Sequence, residues 1–120
     1  MSVKSRLDLN QIPADNPDVP VIRLAGTLDI YSAQELRKLL DRFHTNEKIK
    51  TVIALIEDLE YIDSSGIGVF FASGIRFKKR GGGIRLVKPQ EMVVAALTVT
   101  RAINQMDVYE TFEQALEQLP

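Results

Sequence analysis

The sequence predicts an α/β fold in which a mixed, four- to five-stranded sheet is flanked by about four helices. Apolar runs typical of buried strands alternate with segments whose apolar residues recur at helical spacing. A turn-rich stretch at 13–20 separates the first two strands, so these should pair antiparallel, whereas the later strands should pair in parallel. The 120 residues, 45% hydrophobic and 26% charged, suit a single domain spanning 1–120.

The first two strands are expected to form a hairpin. Residues 3–12 show a loose alternation of apolar and polar side chains, and 21–25 should return antiparallel to them before the chain turns at 26–29. The pattern then becomes helical. Ser32, followed three residues later by Glu35, resembles a capping box. The helix should run to about His44, with its apolar face formed by Ala33, Leu36, Leu39, Leu40 and Phe43.

The middle of the chain predicts a buried strand and a long helix. Residues 51–56 are almost entirely apolar, and 57–62 should be a short linker. A helix is expected over 67–80. Its end is indicated by three final cations, which complement the helix dipole, and by the glycines at 81–83, which act as a stop signal.

The last third continues the alternation. It predicts a strand at 84–87, a helix beginning at Pro89, a short edge segment at 102–109 and a final helix capped by Thr111.

The junction between the buried strand and the long helix carries the sequence Asp63-Ser64-Ser65-Gly66. The first amides of a helix are unpaired and lie at the positive end of its dipole, so Asp and Ser are suited to cap them. Two hydroxyls and a carboxylate are more than one cap requires. A serine displayed there can also carry a phosphate, because a helix N-terminus tolerates an anion.

Composition and motifs argue against several functional classes. A net charge of −1 gives no general attraction to nucleic acid or anionic lipid. Residues 1–8 show no signal-peptide core and no apolar run approaches membrane-spanning length, so a soluble cytoplasmic protein is expected. The chain has no cysteine and a single histidine, His44, so we expect no metal site. It has neither a Gly-x-Ser-x-Gly elbow nor a Walker sequence, so we expect no enzyme and no cofactor. His44 is expected at the surface, where the helix terminus favours partial positive charge.

Four segments carry a resemblance to a known family. Residues 24–29 with 32–36 look like the first signature of the STAS family of anti-sigma factor antagonists, and 58–69 look like the second. Residues 81–87 and 108–116 resemble its later segments. The likeness extends over nearly the whole chain, and the Asp-Ser-Ser-Gly core is its most specific part.

The resemblance implies a phosphorylation-controlled partner switch. In that family the first serine after the aspartate is the phosphorylation site, which corresponds to Ser64. The unphosphorylated protein would bind an anti-sigma factor that is also a serine kinase; phosphorylation would release it, and a serine phosphatase would restore binding. ATP would be bound by the kinase and not by this chain, which is expected to be a monomer when free.

Structural and functional interpretations remain open for the neighbouring residues. Asp63 is either an N-cap or a residue that shapes the phosphoacceptor loop, and Ser65 fits a simple cap best. Asp29 is either a turn residue or, as the resemblance implies, a functional neighbour of Ser64.

The helix start is predicted to supply the rest of the docking surface. Gly66 and Gly68 are expected to permit close helix packing, and Ile67 is expected to be an exposed docking residue. The predicted surface joins the 26–32 loop to the first turn after Ser64, with partner contacts from Asp29, Asp63, Ser65, Gly66 and Ile67.

A different role for the same fold is the alternative. STAS domains also occur in stressosome scaffolds, in lipid-transport accessory proteins and in anion transporters, so a non-switching scaffold or accessory subunit is the competing hypothesis. The complete tetrad favours switching.

Overall fold

A computed structural model describes residues 5–120 of the chain. The six strands are β1 (Leu7–Ile12), β2 (Val21–Leu28), β3 (Thr51–Leu55), β4 (Leu59–Ile62), β5 (Gly83–Val87) and β6 (Met106–Tyr109). The four α-helices of the described chain are α1 (Ala33–His44), α2 (Ser64–Lys79), α3 (Glu91–Val99) and α4 (Phe112–Ala115), and a single 3-10 turn, Ala102–Gln105, precedes β6.

The sheet is mixed, as predicted. Its order is β1-β2-β3-β5-β6, with β4 paired to β2 beyond the end of β3. Only β1 and β2 pair antiparallel; the pairings of β2 with β3 and β4, of β3 with β5 and of β5 with β6 are parallel. The expected α/β class and the edge position of the last strand are therefore confirmed.

One predicted connection is wrong: the linker at 57–62 contains strand β4, so the sheet has six strands instead of the predicted four to five. The second strand is also longer than the predicted 21–25. Gly26 adopts a φ of +94°, and a Cβ there would lie 2.3 Å from the Arg6 carbonyl oxygen. The register of β2 shifts at this glycine, so its first half pairs with β3 and its second half pairs with β4.

The first strand begins at Leu7 rather than at residue 3; residues 3 and 4 lie outside the described part of the chain.

The sheet separates two apolar clusters. The larger one joins α1, α2 and α3 to one face, with fully buried side chains such as Leu36, Phe70 and Leu97 at its centre. The smaller one lies on the opposite face, where Ala115 of α4 packs with Val21 and Ile53. Strands buried on both faces read as continuous apolar runs, which explains why β3 was recognisable from its sequence.

The end of α1 is stabilised from α2. Arg80 donates hydrogen bonds to the carbonyl oxygens of His44, Asn46 (3.1 Å) and Ile49 (3.0 Å). His44 itself is half-buried, with its ring edge against Phe77 at a centroid distance of 5.4 Å. Burial, followed by the charges of Arg80 and Arg76, lowers the pKa of His44. The expectation that this histidine favours positive charge at the surface is therefore wrong.

Candidate phosphorylation and docking site

Asp63 is the N-cap of α2. Its backbone is extended (φ −109°, ψ −175°), and its Oδ1 accepts hydrogen bonds from the amides of Ser65 (2.9 Å) and Gly66 (3.3 Å). Its carbonyl oxygen accepts the first intrahelical bond, from the Ile67 amide at 2.9 Å. The carboxylate thus satisfies two of the amides that a helix start leaves unpaired.

Ser64 is the first residue of α2, and its side chain is exposed. Because Asp63 already performs the capping, the fold does not need the Ser64 hydroxyl for that purpose. Ser65 is half-buried beside it. The more accessible of the two hydroxyls is therefore the one that the sequence predicts as phosphoacceptor, at the helix end that tolerates negative charge.

The tetrad is attached directly to the end of β2. Leu28 and Ile62 are register partners in the parallel pairing of β2 with β4, and the Asp63 amide donates to the Leu28 carbonyl oxygen at 3.1 Å. A Cβ at Gly66 would lie 2.6 Å from Leu28 Cγ, so this glycine permits close packing, as predicted. The two junctions expected at one sheet edge do lie together there.

Asp29 is buried and organises the β2–α1 turn. Its Oδ1 accepts from the amides of Tyr31 (3.0 Å) and Ser32 (3.3 Å), and its own amide donates to Ser32 Oγ at 2.9 Å. Arg6 approaches its other carboxylate oxygen at 3.9 Å. The predicted capping box is wrong: Ser32 makes no side-chain cap bond, because its oxygen accepts from the Asp29 amide while its hydroxyl donates to the Thr27 carbonyl oxygen. Only 12% of the Asp29 side chain is exposed, which leaves a partner little carboxylate to contact.

Ile67 is not the exposed anchor that the sequence predicts. It is half-buried and packs against the larger core cluster. Within residues 26–32, the accessible large apolar side chains are Ile30 and Tyr31, which are 64% and 58% exposed. Sequence reasoning missed these two residues. They could have been identified from the sequence, because they lie directly before α1 and do not belong to the spacing that forms its buried apolar face.

Gly68 differs from Gly66. A Cβ at Gly68 would meet no atom within 4 Å, so the prediction that this glycine serves close packing is wrong. It lies instead in an open groove of about 510 Å³ between α1 and α2, which begins beside Ser64. We call this the α1–α2 groove; its lining includes Arg37, Asp41, Ser64, Gly68 and Arg76.

Within residues 5–120, no group of three or more His, Cys, Asp or Glu side chains is arranged to hold a metal ion. None of the helices in this part of the chain combines the length and apolar character needed to cross a membrane.

Comparison with known proteins agrees with this geometry. The STAS domain model matches residues 12–115. The anti-sigma-B factor antagonist of Bacillus subtilis (strain 168) is 28% identical over 102 residues, which cover 85% of this chain and 92% of that protein.

Solved structures show the same fold. The anti-sigma factor antagonist SpoIIAA in its unphosphorylated form has a TM-score of 0.76 at 23% identity, covering 93% of this chain and 94% of that one. The phosphorylated form of Bacillus SpoIIAA has a TM-score of 0.70 at 22% identity, covering 93% and 97%. The murine anion transporter Slc26a9 has a TM-score of 0.69 at 16% identity, but the match spans 82% of this chain and only 17% of the transporter.

Proposed function

The chain belongs to the STAS domain family, and from that premise we propose that it is an anti-sigma factor antagonist controlled by phosphorylation of Ser64. The observation that carries this proposal is the exposed Ser64 hydroxyl at the first position of α2, where Asp63 already supplies the cap. The likeness to anti-sigma factor antagonists over most of the chain supports the partner class.

The switch has a simple electrostatic basis. Phosphorylation adds a charge of about −1.5 to −2 at neutral pH. At the start of α2 this charge meets a positive helix end, so the fold is retained. A partner surface packed over Ser64 would instead have to bury a dianion without supplying a cation to pair with it, which costs several kcal/mol. Phosphorylation therefore removes the partner without unfolding the antagonist.

The partner in this proposal is an anti-sigma factor that is also a serine kinase. It binds the unphosphorylated chain, supplies the ATP site and transfers the phosphate to Ser64; a serine phosphatase reverses the modification. The chain itself is a kinase substrate and not an enzyme. It works in the cytoplasm as a monomer when free and contacts no nucleic acid.

The docking surface joins residues 26–32, the end of β2 with the turn into α1, to the first turn of α2. Ile30 and Tyr31 provide its exposed apolar area, in the turn after Leu28, whose carbonyl oxygen accepts from the Asp63 amide. Ser65 and Gly66 form the adjoining helical turn, and Asp29 and Asp63 hold the two segments in shape through their backbone hydrogen bonds.

The proposal is tested by phosphorylation of purified variants. Wild type, Ser64→Ala and the matched control Ser65→Ala are incubated with ATP, Mg²⁺ and each anti-sigma factor kinase encoded by the source organism. Intact mass measurement should show one added phosphate in wild type and in Ser65→Ala, and none in Ser64→Ala. Loss of the phosphate in Ser65→Ala alone would reject the assignment. Absence of phosphate in all three would favour a non-switching scaffold.

A further inference from the structure

The lining of the α1–α2 groove, which includes Ser64, carries more cations than anions. Arg76 is already paired, with its Nη2 atom 2.6 Å from Asp41 Oδ1. Arg37 is exposed and forms no ion pair with any residue from 5 to 120. One guanidinium of the groove therefore has no anionic partner within the described protein.

Arg37 lies near the start of α1, as Ser64 lies at the start of α2. Helices α1 and α2 follow β2 and β4, which run parallel, so both helices start at the same sheet edge. Side chains on a helix tilt toward its N-terminus. This tendency favours an approach of the Arg37 side chain to Ser64, and both residues line the same groove.

Gly68 keeps the space between these two residues open. It lies four residues after Ser64, so the two share one face of α2 at a separation of about 5–6 Å. A Cβ at this position would contact nothing, so packing does not require glycine here, and its φ is not positive either. Glycine nevertheless lowers helix stability relative to alanine. A side chain at position 68 would tilt back toward Ser64 and fill the gap.

We propose that the α1–α2 groove receives the phosphate group of phosphorylated Ser64, with Arg37 as its counter-ion and Gly68 as the gap that lets the two meet. This inference rests on the proposed modification of Ser64. Arg76 is not the counter-ion, because Asp41 holds it and it lies twelve residues from Ser64, about 18 Å along the helix. In the phosphorylated form, Arg37 then offsets part of the phosphate's charge of about −1.5 to −2 within the same chain.

The test measures the second ionisation of the phosphate by ³¹P NMR. Phosphoserine is installed at position 64 during translation, so the sample does not depend on any kinase. A neighbouring cation favours the dianion and lowers the second pKa of the phosphate. Arg37→Gln should therefore raise this pKa by about half a unit or more relative to wild type. Arg42→Gln, an exposed arginine of α1 outside the groove lining, should leave it unchanged.

Gly68→Leu gives a second, independent arm. It retains Arg37 but fills the gap, so it should also raise the second pKa of the phosphate relative to wild type. Thermal unfolding checks that the variant is folded. Equal pKa values in Arg37→Gln and Arg42→Gln would overturn the proposal and leave the phosphate exposed at the helix end. This result would not affect the partner switch, which fails only if phosphate on Ser64 does not weaken partner binding.

Discussion

Leu28 lies where the Cβ of residue 66 would otherwise be. An added Cβ at Gly66 would stand 2.6 Å from Leu28 Cγ and 2.8 Å from its Cδ2. This contact, together with the hydrogen bond from the Asp63 amide to the Leu28 carbonyl oxygen, fixes the start of α2 against the end of β2. The position of Ser64 on the protein surface depends on it.

Gly66 and Gly68 should respond to alanine in opposite directions. Gly66→Ala forces a methyl group into the buried Leu28 side chain and should destabilise the fold by about 1–3 kcal/mol. Gly68→Ala adds a methyl group in open space and should stabilise it by up to about 1 kcal/mol. Urea unfolding of both variants measures the difference. Similar effects at the two sites would show that the contact with Leu28 does not determine the first turn.

Removal of the Asp63 cap should cost stability. Asp63→Ala leaves the amides of Ser65 and Gly66 without their acceptor and should lower the free energy of unfolding by about 1 kcal/mol. Asp63→Asn retains a side-chain oxygen that can accept the same bonds, so it should lose much less. If chemical denaturation gives equal losses for both variants, the carboxylate charge matters more than the cap geometry.

Ile67 and Tyr31 should separate stability from binding. Ile67 packs partly against the core, so Ile67→Ala should lower stability by about 1–2 kcal/mol, less than the 2–5 kcal/mol of a fully buried isoleucine. Tyr31 is 58% exposed, so Tyr31→Ala should change stability by only about 0.5 kcal/mol or less.

The same Tyr31→Ala change should weaken binding of the anti-sigma factor by about 1 kcal/mol or more, if the 26–32 loop is the docking surface. Calorimetric titration measures this, with Val99→Ala as control because Val99 is 84% exposed at the end of α3, outside the proposed surface. Equal affinities for the two variants would place the docking surface elsewhere.

His44 should make stability depend on pH in a mildly acidic range. Burial and the nearby arginines lower its pKa in the folded state below the value of about 6.5 expected in the unfolded chain. The unfolded chain therefore binds the proton more readily, and stability present above pH 6.5 is lost as the pH falls through that value. In urea titrations at about pH 7.5 and 5.5, His44→Gln should lose less stability than wild type. Identical losses would contradict the effect.

The sequence predicted much of this architecture because its strongest patterns are local. The apolar spacing of α1 and the continuous apolar run of β3 each identify one element without knowledge of its neighbours. Strand β4 was missed because it has only four residues, and its identity depends on pairing with β2 after the shift at Gly26.

In the candidate site too, the features that depend on local sequence were predicted and those that depend on tertiary packing were not. Asp63 and Ser64 were identified because capping and helix position are local properties. The burial of Asp29, the partial burial of Ile67 and the empty space around Gly68 depend on how α1, α2 and β2 meet. No spacing rule within a single segment distinguishes a glycine that avoids a clash from one that leaves a gap.

A phosphate on Ser64 should release the anti-sigma factor. The most direct measurement is the dissociation constant of the kinase-type anti-sigma factor for the chain with and without phosphoserine installed at position 64. Phosphorylation should weaken binding at least about tenfold, equivalent to about 1.4 kcal/mol, while both forms unfold at similar temperatures. Equal affinities for two folded forms would contradict the claim and leave the chain a STAS protein that binds without switching.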